Sequence, residues 1–310
     1  MTQNFQSLIR STFSLGLIVL VIGSYVIAAQ TVQTGTWRAS NRTEKEGKEG
    51  TKKDGKIQLN FSRDSEKHRN SSNGSSFDLS DLQGLSQSQI AGDGAVKFSI
   101  VREAGTIECE GTFVAGKGSG TYRFTPNQNF IAAMKSRGFD FEKSSSKGSM
   151  DTDNKLFAAA MINVTTLLAD DLLSANFVKL DVDDLFKAAI FKVDSKFMRE
   201  TKDSGFPNLG MEELVKARIF KVDGEFLREL NSAGFGSEPF ENVVKMRIFK
   251  ITPEFITGVR SEGFQNIGIE DLVKMKIFNI NSEFIRQARA EGVPMEVEKL
   301  VQKRIGVYGR

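Results

Sequence analysis

Val244-Lys245-Met246-Arg247-Ile248-Phe249-Lys250-Ile251-Thr252-Pro253-Glu254-Phe255-Ile256 returns 29 residues later as Val273-Lys274-Met275-Lys276-Ile277-Phe278-Asn279-Ile280-Asn281-Ser282-Glu283-Phe284-Ile285. The same spacing links Val164, Val193, Val222, Ile251 and Ile280, each followed by a residue able to cap a helix: Thr165, Asp194, Asp223, Thr252 and Asn281. Further along the unit come Leu168, Phe197, Phe226, Phe255 and Phe284, and then a glycine at Gly205, Gly234, Gly263 and Gly292. Apolar pairs follow at Leu185/Phe186, Leu214/Val215, Val243/Val244 and Leu272/Val273, and the unit closes on Ile190/Phe191, Ile219/Phe220, Ile248/Phe249 and Ile277/Phe278. A constant period in the range of roughly 20 to 50 residues marks a stacked repeat array.

Each unit encodes two short helices. The first starts at the cap, whose side-chain oxygen can accept from an orphan amide, and Thr125-Pro126 and Thr252-Pro253 add a proline where its missing donor is harmless. It ends at the glycine, which supplies a left-handed C-cap residue. The second starts among acids, as at Glu212-Glu213, and ends among bases, as at Lys216 and Arg218, which complements the helix dipole. Helices of about ten residues bury their apolar faces only against neighbouring units. The phenylalanine column is therefore expected to form a continuous spine with Ile219, Ile248 and Ile277.

Upstream the period changes to two. Val96, Phe98 and Ile100, then Ile107, Cys109 and Phe113, then Tyr122 and Phe124, alternate with polar positions, the mark of strands with one buried face. Gly35 to Ala39 and Lys56 to Phe61 read as two more strands, with a short one at Phe77-Asp78-Leu79. Trp37 and Cys109 are expected in the core. The fold class is α+β: an antiparallel β domain over residues 30–123, with flexible loops 41–55 and 63–76, then an α-helical solenoid of helical-hairpin repeats over 124–310, about six units with an insertion around Ser144 to Ser149. Residues 1–29, with Arg10 ahead of an apolar run from Phe13 to Ala29, read as a signal peptide or a membrane anchor.

Composition narrows the function. One cysteine and one histidine, His68, leave no disulfide, thiol metal site or Ser/His/Asp triad to assemble, and no cofactor or metal is expected. The net charge of +3 is too small and too dispersed to argue for nucleic acid. The basic columns Lys187, Lys216, Lys245, Lys274 and Arg218, Arg247, Lys276, Arg304 either form a ladder for an acidic partner or complement helix dipoles. Arg199, Arg228, Thr257 and Arg286 sit at matched positions whose side chains vary. With Lys216, Lys245 and Lys274 they are the candidate contacts for a partner protein or cell-envelope component. A rival reading, an envelope-polymer hydrolase, would draw on Asp170, Asp171, Asp181, Asp183 and Asp184, but Asp183 and Asp184 align with Glu212 and Glu213 in a helix-start column, and no carboxylate has the apolar setting that raises a pKa. A structural spacer is the third reading.

The stretch Val244 to Ile256, with the glycine-phenylalanine endings, resembles helical repeats of bacterial envelope proteins, some of which follow the peptidase of β-lactam-sensor-like membrane metallopeptidases. Trp37, Leu79 to Leu85 and Gly105 to Gly111 resemble the β segment that precedes such repeats. The resemblance implies a bacterial extracytoplasmic sensor or accessory module; from the leader reading, membrane contact is expected only through residues 1–29 if they are uncleaved. The His-Glu-x-x-His of the peptidase is missing, and no functional residue carries over.

Overall fold

A computed structural model of the chain describes residues 32–41, 56–63, 72–143, 150–176 and 179–309. The expected leader, the insertion at 144–149 and most of both expected loops lie outside these residues. The chain is an α+β protein, a β module followed by a helical region. Six strands, β1 (Gln33–Asn41), β2 (Lys56–Arg63), β3 (Ser72–Asp78), β4 (Gly94–Arg102), β5 (Gly105–Val114) and β6 (Lys117–Pro126), pair antiparallel in the order β3-β2-β1-β6-β5-β4.

Two boundaries differ from the sequence reading. β3 begins at Ser72, inside the expected loop 63–76: it is an edge strand on β2, and its polar stretch Ser-Asn-Gly-Ser-Ser carries no alternation to betray it. β6 runs through Pro126, so Thr125-Pro126 ends a strand rather than opening a helix. The helix begins instead after Asn127, whose side chain accepts from the Asn129 amide. The β5–β6 hairpin turns on Ala115 (φ 48°) and Gly116 (φ 74°), the pair of positive φ values of a type I′ turn.

Trp37 is fully buried, its indole donating to the Glu110 carbonyl at 3.2 Å. Glycines make the room: a Cβ at Gly118 would lie 2.7 Å from the Trp37 ring, and one at Gly111 2.8 Å from it. Cys109 is also fully buried, and burial pushes its thiol above the usual range, which keeps it protonated and inert.

The helices are α1 (Gln87–Ala91), α2 (Gln128–Lys135), α3 (Thr152–Ile162), α4 (Thr166–Ser174), α5 (Val182–Phe191), α6 (Ser195–Asp203), α7 (Met211–Phe220), α8 (Gly224–Leu230), α9 (Phe240–Ile248), α10 (Pro253–Ser261), α11 (Ile269–Ile277), α12 (Ser282–Ala290) and α13 (Val297–Arg304). A π turn at Asn231–Phe235 continues α8. α3 seats the helical region on the sheet: its Phe157 ring lies 5.8 Å from Phe61, 5.4 Å from Tyr122 and 5.3 Å from Phe124, centre to centre. Beyond it the helices run in two rows. α3, α5, α7, α9, α11 and α13 contact one another in succession, and α2, α4, α6, α8 with its π turn, α10 and α12 do the same.

The repeated residues build these rows. Thr165, Asp194, Asp223, Thr252 and Asn281 each accept the amide three residues on, at 2.7 to 3.3 Å. Gly205, Gly234, Gly263 and Gly292 all have positive φ, as a left-handed C-cap requires. The helices of the other row end differently, on Asn163, Lys192, Lys221, Lys250 and Asn279, held at φ 51° to 59°. The next residue, Val164, Val193, Val222, Ile251 or Ile280, donates its amide to the carbonyl five residues back, as Val222 does to Ala217 at 2.8 Å, and buries its side chain. That is a Schellman closure, and it explains why this column gives the clearest register in the sequence.

The expected spine is half right. Phe197 and Phe226 are buried and Phe255 and Phe284 partly so, but Ile219, Ile248 and Ile277 are exposed. The apolar residue after each left-handed cap fills the core at that level, which turns the isoleucine outward.

Candidate functional site

The varied positions Arg199 (α6), Arg228 (α8), Thr257 (α10) and Arg286 (α12) lie one per helix along one row, all exposed. Two are tied down. Arg199 donates to the Ser195 hydroxyl at 2.9 Å, and that hydroxyl donates to Asp171 at 2.6 Å. Arg286 pairs with Glu262 at 2.7 Å, beside Arg289 at 2.9 Å on the second oxygen, and this hydrogen bonding, led by Arg289, holds the Glu262 carboxyl below its usual range. The other two come together. Arg228 and Thr257 line a groove of about 600 Å³ between α8 and α10 with Glu225, Glu229, Ser232 and Glu254. Neither side chain has a hydrogen-bond partner among the described residues, so both can bind from this groove.

The lysine column connects units. Lys187 reaches Glu212, Lys216 reaches Glu241 and Lys245 reaches Glu270, each at 2.5 Å, and Lys274 pairs with Glu298. Each acid belongs to the first turn of the next helix in the row, and the hydrogen bonds donated to these glutamates hold the Lys187, Lys216 and Lys274 ammonium groups above their usual value. The candidate contacts Lys216, Lys245 and Lys274 are thus already partnered inside the array, although each remains partly exposed.

The second basic column stacks on the phenylalanines. Arg218 lies over Phe197, Arg247 over Phe226, Lys276 over Phe255 and Arg304 over Phe284, with the charged group 3.8 to 4.9 Å from the ring centre. Cations so placed shield the ring edge of the core and gain from its quadrupole. Burial, then the neighbouring Lys250, pulls the Lys276 ammonium below its usual value.

The carboxylates of the hydrolase reading have structural partners. Asp170 accepts two hydrogen bonds from the Arg137 guanidinium, at 2.7 and 3.0 Å, which hold its carboxyl low. Asp171 receives the Ser195 hydroxyl and amide, capping α6 from the preceding unit. Asp181 and Asp184 form a reciprocal capping box at the start of α5, with Asp183 in the same turn. One expectation is corrected here: burial raises the Asp184 carboxyl despite the backbone hydrogen bond at Asp181. Among the described residues its partners are the Asp181 amide and Lys187, so this buried carboxylate serves the helix start. Among the described residues no group of three or more His, Cys, Asp or Glu is placed to hold a metal ion.

Sequence reasoning missed one surface feature, the outward isoleucines. Their recurrence was visible, but an apolar column is assigned to the core until its direction is known. Compared with protein-family models, with curated proteins and with solved structures, the chain finds no match.

Proposed function

We propose that the chain is a non-catalytic binding module of the bacterial envelope, a helical solenoid carried on a β module that engages a partner protein or envelope component outside the cytoplasm. The observation that carries this reading is the division of labour among the polar side chains. Those that repeat cap helices, bridge successive units or stack on phenylalanine rings, whereas Arg228 and Thr257, which differ at one repeat position, meet in a groove with no internal partner. A stacked array offers such an extended face with few demands on its exposed residues. The unpartnered Arg228 guanidinium and Thr257 hydroxyl suit a partner group that accepts hydrogen bonds. The apolar leader and the resemblance to envelope proteins support the location.

Cross-linking and pull-down from the native envelope test the reading. A partner that saturates and is lost with Arg228→Glu supports it, and retention of no specific partner favours a structural spacer. Turnover of purified peptidoglycan, abolished by Asp183→Asn, would instead establish the hydrolase.

A further inference from the structure

Ile190, Ile219, Ile248, Ile277 and Ile305 are each 48% to 55% exposed, at the C-terminal ends of α5, α7, α9, α11 and α13. Successive helices of this row touch, so the five side chains form one line along one edge of the array. With Phe220 and Val307 they make seven of the thirteen large apolar side chains exposed among the described residues. Scattered exposed apolar residues need no explanation, but a continuous line of them marks an interaction surface.

The edge is also basic. Each isoleucine from Ile219 onward follows a cation, Arg218, Arg247, Lys276 or Arg304, and Lys192, Lys221 and Lys250 stand two residues past theirs. Those three lysines are exposed and have no ion-pair or hydrogen-bond partner among the described residues. Of the acids at the adjoining helix starts, Asp194 and Asp223, both engaged as caps, with Asp194 also 3.6 Å from Arg218, become Thr252 and Asn281 in the later units. Glu225, Glu254 and Glu283 follow in the first turns of α8, α10 and α12.

We infer that this edge rests on an anionic phospholipid surface. Apolar side chains would enter the headgroup boundary while flanking lysines and arginines meet the phosphates, the pattern of an interfacial basic amphipathic face. A second copy of the chain is the poorer occupant, because two such edges would bring like charges together. No single described helix is long and apolar enough to cross a membrane.

The test is co-sedimentation of the full chain with phosphatidylcholine vesicles, with and without phosphatidylglycerol. Wild type is compared with Ile219→Gln/Ile248→Gln/Ile277→Gln and with Lys221→Glu/Lys250→Glu. All three carry the same leader, so its own affinity cancels, and every changed side chain is exposed, so melting curves should be preserved. The expected result is a loss of partitioning of at least about tenfold in both variants, confined to phosphatidylglycerol vesicles and mimicked in wild type by raised salt. Equal partitioning of wild type and variants overturns the inference. So does a vesicle-free dimer of the wild type that the isoleucine variant abolishes while vesicle binding is unchanged.

Discussion

The guanidinium of Arg218 lies 3.8 Å from the centre of the Phe197 ring, twenty-one residues earlier in the chain, and the relationship is repeated by Arg247 and Phe226 at 4.6 Å and by Lys276 and Phe255 at 4.1 Å. A cation over a partly desolvated ring contributes on the order of 0.5 to 2 kcal/mol. Arg218→Ala should therefore destabilise the protein by about 1 kcal/mol, and a double-mutant cycle with Phe197→Leu should show coupling. Strict additivity of the two substitutions in urea unfolding would mean that the stack contributes nothing beyond packing.

Burial differs along the phenylalanine column, and stability should follow it. Phe226 is 3% exposed, whereas Phe255 is only partly buried. Phe226→Ala is expected to cost about 3 to 5 kcal/mol and Phe255→Ala about half of that. Equal losses in denaturant titrations would show that exposure does not control the column.

Lys221 is held at φ 57° and makes no side-chain hydrogen bond or ion pair among the described residues. Left-handed backbone disfavours a residue with a Cβ by about 1 to 2 kcal/mol, part of which glycine returns through its greater freedom when unfolded. Lys221→Gly should stabilise by about 0.5 to 1 kcal/mol, seen as a raised midpoint in urea. A lowered midpoint would place a hidden role on the lysine side chain.

Glu262 responds to acid. Hydrogen bonds from Arg289 and then Arg286 hold its folded carboxyl below the unfolded value. The resulting stability is complete above the unfolded pKa of about 4.3 and is lost as pH falls through the lower folded value. Glu262→Gln should flatten the acid limb of a stability–pH profile below about pH 4.5 and leave its slope at neutral pH unchanged. An unchanged acid limb would exclude this carboxylate as a contributor.

The helical period, its caps and its glycine stops were legible because each depends on residue type at a fixed spacing. The direction of Ile219 was not. It follows Val215 by four residues, a spacing shared with buried positions, and only the Schellman closure that sends Val222 inward shows that Ile219 turns out. Lys221 could not be read as a left-handed cap because lysine carries no signal for it. β3 was hidden by its polar edge position, and the stacking of Arg218 on Phe197 needed the two rows of helices in place. Arg228 and Thr257 were picked out by their variation, but their shared groove appeared only when α8 and α10 lay side by side.

The binding reading is tested most directly by photocross-linking in the native envelope from a photoreactive residue at Thr257, with the same residue at exposed Val114 in the β5–β6 hairpin as reference. The expected result is a discrete, saturable adduct from position 257, lost when Arg228→Glu is added, and none from position 114. Equal adducts from both positions, or none from either, would contradict it.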